Sequence, residues 1–122
     1  MAPIRLLRVY DVQAPFPPHT FLTDRLWPRG IAKARLEGVC WLKAVAPSTA
    51  LRQAFHHATL DWPGFVVRYR DELAAAPETW QPLVQLLHQG EAITLLYGSR
   101  DSHCNQAVAL RDWLLEQIKA DA

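Results

Sequence analysis

The sequence contains 122 residues, of which 50% are hydrophobic and 20% are charged, with a formal net charge of +1. Because a domain of this length buries roughly two-thirds of its unfolded surface, we expect a single domain over residues 1–122 with a core of its own. The hydrophobic content does not indicate a disordered chain, and the near-neutral charge does not indicate a surface that coats nucleic acid, so any electrostatic function must be local.

The first three predicted elements are short strands, because each apolar segment is bounded by residues that favour turns. Residues 4–10 precede a proline-rich stretch, and residues 20–27 end at Pro28, which has no N–H to donate to a neighbouring strand. Gly30 then permits a backbone turn that other residues resist. Residues 39–45 are the third predicted strand.

Helices with a repeating apolar face follow in the second half of the chain. Ser48 is the predicted N-cap of a short helix, and two further helical patterns cover residues 62–77 and 80–90. Residues 92–97 are continuously apolar, which is typical of a strand covered on both faces. The last predicted helix spans residues 103–119.

This order of elements predicts an α/β fold, a compact layered domain with a small, mostly parallel sheet flanked by helices. Ligands of such domains bind beyond the carboxyl ends of the strands. Polar clusters follow all four predicted strands, and parallel strands would place them on one rim of the sheet. The clusters are Tyr10 and Asp11; Asp24, Arg25, Arg29 and Gly30; Lys43, Pro47 and Ser48; and Tyr97, Ser99, Arg100 and Asp101.

The chemistry of this predicted rim favours an anion. Arg25 and Arg29 carry planar guanidinium groups suited to two-point contact with a carboxylate or phosphate, and two predicted helix N-termini, near Ser48 and Ser102, add backbone N–H donors. Three roles are open for Asp24 and for Asp101: orienting an arginine, acting as acid or base, or contacting a sugar hydroxyl. Alternatively, residues 24–30 are a structural corner in which the ions pair with one another.

The sequence predicts no metal and no cofactor. His56, His57 and His103 lack the usual metal-ligand spacings, and Cys40 and Cys104 show neither zinc-binding nor redox spacing. Cys104 follows His103 at the start of a predicted helix, where a thiolate nucleophile can form, although most such cysteines are simply small residues.

The sequence also shows no targeting signal. No signal-peptide pattern opens the chain, and no apolar run approaches the roughly 20 residues that span a bilayer. The sequence therefore predicts a cytoplasmic protein with reduced thiols and no membrane partner.

Five segments in order, together spanning nearly the whole chain, carry a family resemblance: RVYDV, FLTDRLWPRGIAK, WLKAVAPSTALRQAFHH, WPGFVVRYRDEL and TLLYGSRDSHCNQAVAL. The sequence resembles the YeaO-like branch of the family called domain of unknown function 488. The resemblance implies a compact α/β protein, usually bacterial, of uncharacterised function. Its motifs fall on Asp24, Arg25, Leu26, Trp27, Pro28, Arg29, Gly30, Trp41, Lys43, Pro47, Ser48, Tyr97, Asp101 and Asn105.

The chain departs from this pattern at Arg100, where relatives commonly have lysine before the aspartate. The positive charge is kept, but the donor geometry changes. Asn105 gains interest from the resemblance, because its amide is predicted to face the rim near Arg100 or to act as a local cap. His103 and Cys104 are not among the motif positions of the resemblance, which lowers the case for a catalytic thiol.

Together these patterns predict a small protein that binds an anionic small molecule, phosphorylated or nucleotide-like, with Asp24 and Asp101 as candidate catalytic residues. If it is an enzyme, the residues suit a hydrolase or a glycosyl transferase acting on such a substrate. The predicted ligand-binding residues are Arg25, Trp27, Arg29, Gly30, Lys43, Ser48, Tyr97, Arg100 and Asn105.

Two alternatives remain open. The first is a regulatory or interaction protein whose rim recognises an acidic segment of a partner. The second is a nucleic-acid-binding module in which Arg25, Arg29, Lys33 and Arg35 contact phosphates and Trp27 stacks on a base. The near-neutral total charge counts against nucleic acid, whose phosphate contacts need a basic surface.

Overall fold

The computed structural model describes residues 4–120, so residues 1–3 and 121–122 of the predicted domain lie outside the described part. Within that part, one four-stranded sheet and four α-helices form the fold. The strands are β1 (Ile4–Arg8), β2 (Thr20–Leu22), β3 (Cys40–Trp41) and β4 (Ile93–Tyr97), and the helices are α1 (Thr49–His56), α2 (Trp62–Ala75), α3 (Gln81–His88) and α4 (Gln106–Ala120).

The strands lie in the order β1-β4-β2-β3, and every neighbouring pair is parallel. The last strand in the sequence is thus inserted between the first two, where Leu95 lies opposite both Leu6 and Phe21. All five residues of β4 are buried, which confirms the prediction of a strand covered on both faces. The α/β class and the parallel sheet are confirmed as well.

The two faces of the sheet are covered in different ways. Alternate β4 side chains point to opposite faces: Leu95 belongs to a large core cluster that holds the buried residues of all four helices, and Leu96 belongs to a smaller one. That second cluster contains Val9, Leu22, Ile31 and Leu36, which lie in strands and in the irregular segments between β1 and β3. The helices therefore cover one face, and loops with short 3-10 turns cover the other.

Several element ends differ from the sequence-based prediction. The first three strands are shorter than predicted, and 3-10 turns at Val9–Asp11 and Lys43–Val45 occupy residues expected to be extended. The second strand stops at Leu22; Thr23 still donates its backbone N–H to the Leu96 carbonyl at 3.1 Å, and the chain then leaves the sheet. Asp24 and Arg25, which the prediction places in the second strand, therefore follow that strand.

Candidate functional site

A cavity of about 700 Å³ lies where β2 and β4 end. Its walls come from the segments that follow these two strands, from α1 and α2, and from the beginning of α4. The lining residues are Asp24, Arg25, Leu26, Pro47, Arg52, Phe55, His56, Phe65, Gly98, Ser99, Arg100, Asp101, Cys104, Asn105 and Gln106. The cavity thus occupies the position at which parallel α/β sheets bind ligands.

Three arginines from three different segments line this cavity. Arg25 donates from Nε to the Pro47 carbonyl at 2.7 Å, which fixes its side chain across the end of β2. Arg52, at the end of the first turn of α1, has a buried Nε without a hydrogen-bond partner among the described residues. Within residues 4–120, neither these two groups nor Arg100 comes within 4.0 Å of a carboxylate oxygen. The three guanidinium groups are therefore not paired at close range, and they outnumber the two aspartates, Asp24 and Asp101, that also line the cavity.

Asp24 is the partly buried carboxylate of the cavity, and its two oxygens have different surroundings. Oδ1 accepts the Gly98 backbone N–H at 3.2 Å and the Gln106 side-chain amide. Oδ2 accepts no hydrogen bond from the described residues. Burial raises the pKa of Asp24 above its ordinary value, although both hydrogen bonds and the charge of Arg52 act in the opposite direction.

Gly98 lets the backbone after β4 approach this carboxylate. A Cβ atom at this position would lie 2.5 Å from Asp24 Oδ2, which is far inside van der Waals contact. The glycine is therefore required by the close approach of Asp24, because its φ lies outside the left-handed region and makes no demand of its own.

The segment between β4 and α4 is held by its own polar side chains. Asp101 Oδ1 accepts the backbone N–H groups of His103 and Cys104, each at 2.9 Å, and these bonds hold the pKa of the exposed Asp101 below its ordinary value. Asn105 is buried, donates to the Asp101 carbonyl at 2.7 Å and accepts the Val108 N–H at 3.1 Å. Asn105 is thus the N-cap of α4.

This capping corrects one prediction and confirms another. The predicted helix start at residue 103, with an N-terminus near Ser102, is wrong, because Asp101 closes a separate turn first and α4 begins at Gln106. Ser48 is the N-cap of α1, as predicted, since its Oγ accepts the Leu51 N–H at 3.2 Å.

The structure brings five predicted site residues together on the cavity: Asp24, Arg25, Arg100, Asp101 and Asn105. The other six are not among its lining residues: Trp27, Arg29, Gly30, Lys43, Ser48 and Tyr97. Tyr10 and Asp11, which follow the first strand, also lie outside the lining.

Residues 27–30 form a corner instead of a cavity wall. Trp27 donates from its indole to the Ile31 carbonyl at 2.7 Å and packs edge-on against Trp41 at 5.5 Å. Gly30 has φ +79°, the left-handed turn that the sequence predicts. The side chain of Arg29 is exposed. The segment 24–30 is therefore divided, with its first three residues on the cavity and its remainder in a structural turn.

The remaining predicted residues have other surroundings. Lys43 Nζ lies 5.4 Å from the centre of the Trp41 ring, at the edge of the sheet. The Ser48 hydroxyl donates to Glu72 Oε2 at 2.5 Å, and its backbone N–H donates to Oε1 at 2.8 Å. Tyr97 is buried in the larger core cluster.

Sequence reasoning missed four important lining residues: Arg52, Phe55, Gly98 and Gln106. Gly98 had the clearest signal, because a glycine directly after a buried strand marks a close backbone approach. Arg52 lies one helical turn after the Ser48 cap, and Arg52 N–H bonds the Ser48 carbonyl at 2.9 Å. Only the packing of α1 against α2, and of α4 against β4, brings Arg52 and Gln106 to Asp24, so no local pattern reveals them.

Other kinds of site find little support in the part of the chain that the structure describes. No group of three or more histidine, cysteine, aspartate or glutamate side chains among residues 4–120 is placed to hold a metal ion. Cys40 and Cys104 are both free thiols. Among the same residues, no helix has the length and apolar character needed to traverse a bilayer.

Comparisons with known proteins place the chain in a family. It is similar to the uncharacterized protein YeaO of Escherichia coli (strain K12), with 39% identity over 111 residues that cover 91% of this chain and 96% of YeaO. It is 40% identical over 70 residues to the uncharacterized proteins Rv3073c of Mycobacterium tuberculosis (strain ATCC 25618 / H37Rv) and Mb3100c of Mycobacterium bovis (strain ATCC BAA-935 / AF2122/97), covering 57% of this chain and 59% of each. No solved structure matches the chain. Since a family model described as "Inactive DUF488-N3 subclade" matches residues 3–122, the chain belongs to the DUF488 family, as a YeaO-like member.

Proposed function

We propose that the protein binds an anionic small molecule, phosphorylated or nucleotide-like, in the cavity at the ends of β2 and β4. The observation that carries this proposal is the set of three arginines on the cavity wall, none of them within 4.0 Å of a described carboxylate. A buried guanidinium N–H without an acceptor costs free energy, and Arg52 has such a group at Nε. An anionic ligand would offset the charge that the three arginines concentrate here.

The beginning of α4 adds to the attraction. Asn105 and Gln106 line the cavity, so the positive end of the dipole of this 15-residue helix lies at the cavity wall. Helix N-termini favour phosphate and carboxylate groups for this reason. The arginines and the helix thus act on the same ligand charge.

The size and the apolar wall of the cavity favour a ligand larger than a simple ion. A volume of about 700 Å³ lies within the usual range for small-molecule sites. Phe55 and Phe65 pack with ring centres 4.6 Å apart, and Leu26 is 56% exposed. These apolar groups suit the sugar or base of a nucleotide, while the arginines suit its phosphate.

Binding without turnover is the form of this function that we favour. The family model is described as an inactive subclade. Asp24 uses one oxygen to hold Gly98 and Gln106, and Asp101 uses its carboxylate to cap backbone N–H groups. Asp24 and Asp101 are the catalytic candidates of the sequence. Each thus has a structural role in holding neighbouring groups, and this role does not require catalysis.

The proposal is tested by calorimetric titration with inorganic phosphate, ribose 5-phosphate, AMP and succinate. At least one phosphorylated compound is expected to bind the wild type, and Arg52→Gln is expected to weaken that binding about tenfold or more, since bonds to charged groups are strong. Arg29→Ala is the matched control, because Arg29 is an exposed arginine outside the cavity lining. Its affinity is expected to equal that of the wild type.

Two results would overturn the proposal. One is the absence of binding by every phosphorylated compound in the panel. The other is an equal loss of affinity in Arg29→Ala and Arg52→Gln, which would mean that the anion binds at the corner or through general charge and not in the cavity.

A further inference from the structure

The two carboxylate oxygens of Asp24 differ in their capacity to accept a hydrogen bond from a ligand. Oδ1 already accepts two hydrogen bonds, from Gly98 and from Gln106. Oδ2 has no donor among the described residues, yet it is not among the buried polar atoms that lack a partner. Since Asp24 lines the cavity, Oδ2 is an open acceptor in the cavity wall.

An ionised carboxylate only accepts hydrogen bonds. A phosphate placed against Asp24 Oδ2 would be repelled, so the ligand group at this position must be a donor. An ammonium group is a poor choice, because Arg25, Arg52 and Arg100 already make the cavity positive. A neutral hydroxyl satisfies both conditions.

The donor and the anion must belong to one ligand and lie close together. Arg52 is near enough to Asp24 for its charge to act on the carboxylate, and its side chain lines the same cavity without a carboxylate within 4.0 Å among the described residues. A sugar phosphate carries hydroxyl groups within a few bonds of its phosphate, and the face of its ring is apolar enough to pack on Phe55 or Leu26.

We propose that the ligand is a sugar phosphate with adjacent hydroxyl groups, free or as part of a nucleotide, and that Asp24 Oδ2 accepts a hydrogen bond from one of these hydroxyls. This inference rests on the proposed function, because it names the ligand class of the same cavity. Asp24 is then the residue that selects sugar phosphates over other anions, and the arginines bind the phosphate that they share.

The test compares AMP with 2′,3′-dideoxy-AMP, and ribose 5-phosphate with its 2,3-dideoxy counterpart, by calorimetric titration of the full chain. In the wild type, the hydroxyl-bearing member of at least one pair is expected to bind about tenfold more tightly, the effect of a hydrogen bond to a charged acceptor. Asp24→Asn is expected to reduce this ratio to about threefold or less, because the acceptor loses its charge. Inorganic phosphate is expected to bind Asp24→Asn at least as well as the wild type.

The pair whose two members differ in affinity identifies the source of the sugar phosphate. A difference within the AMP pair indicates a nucleotide, and a difference within the ribose 5-phosphate pair indicates a free sugar phosphate. Equal affinities within both pairs, with binding still lost in Arg52→Gln, would overturn this inference and leave the proposed function standing. A wild-type ratio that persists unchanged in Asp24→Asn would overturn the role of Asp24. If no phosphorylated compound binds, both proposals fail together.

Discussion

Among single residues, Gly98 is the one whose size the site constrains most tightly. The nearest atoms to an added Cβ would be the Asp24 carboxylate, with Oδ2 at 2.5 Å and Cγ at 3.7 Å, followed by Val9 Cγ1 at 3.9 Å. Asp24 cannot simply rotate away, because Oδ1 is held by Gly98 and Gln106. The glycine and the carboxylate therefore form one unit.

Replacement of Gly98 with alanine is expected to destabilise the protein by about 1–3 kcal/mol, the usual cost of leaving a buried polar group without its hydrogen bond. The added methyl group pushes Asp24 off the Gly98 N–H. Urea denaturation monitored by tryptophan fluorescence measures the change in the free energy of unfolding.

The control for this measurement is the same Gly98→Ala substitution made in the Asp24→Ala variant. There the nearest atom that remains of those around the added methyl group is Val9 Cγ1 at 3.9 Å, an ordinary contact distance, so Gly98→Ala is expected to cost nearly nothing. An equal cost in both backgrounds would show that Asp24 is not the group that excludes a side chain at position 98.

At the scale of the elements, the sequence predicts helix interiors and central strands better than their ends. All four helices and all four strands lie where the apolar patterns indicate them, because burial of one face sets the period of each pattern. The start of α4 is three residues later than predicted, because Asp101, Ser102 and Asn105 are all good cap residues and only the tertiary structure selects among them.

The contrast between local sequence patterns and tertiary contacts also explains how much of the site is predictable. Asp24, Arg25, Arg100 and Asp101 lie within four residues of the end of β2 or β4, so the carboxyl-end rule for parallel sheets finds them. Arg52 reaches the cavity from α1, whose position depends on packing against α2. Helix docking is set by contacts between residues far apart in the sequence, which no local pattern contains.

The sequence predicts that Ser48 and Ser102 each lie at a helix N-terminus, but only Ser48 caps a helix in the structure. Substitution of the two serines therefore tests this difference. Ser48→Ala is expected to lower the free energy of unfolding by about 1–2 kcal/mol, because it removes the cap of α1 and the hydroxyl that donates to Glu72. Ser102→Ala is expected to stay within about 0.5 kcal/mol, since the exposed Ser102 caps no helix. Urea denaturation of both variants distinguishes the two positions, and equal costs would contradict the capping role assigned to Ser48.

At the scale of the whole molecule, a small net charge conceals an uneven local distribution of charges. The chain carries 13 basic and 12 acidic residues, yet three arginines face the cavity against Asp24 and Asp101. Ion pairs elsewhere, such as the fork between Arg70 and Glu116 at 2.6 and 2.8 Å, neutralise their charges locally. The uneven distribution of charges, and not their total, leaves the cavity with one more arginine than aspartate.

The burial of Asp24 makes global stability depend on pH in a definite direction. Its pKa is raised in the folded protein, so the folded state binds this proton more tightly than the unfolded state, whose value is near 3.8. The charged carboxylate therefore costs stability at neutral pH, and that cost disappears as the pH falls through the raised pKa toward 3.8. Asp101 and Glu116, whose pKa values are lowered, contribute in the opposite sense and lose stability in acid.

Asp24→Asn separates the two effects, because Asp101 and Glu116 are the same in both proteins and cancel in the difference. The free energy of unfolding of Asp24→Asn minus that of the wild type is expected to be larger at about pH 7 than at about pH 4, where Asp24 has begun to bind its proton. Urea denaturation at a series of pH values measures this difference. If it instead grew toward acid, the folded protein would favour the charged carboxylate, and Asp24 Oδ2 would already have a partner that leaves no open acceptor for a ligand hydroxyl.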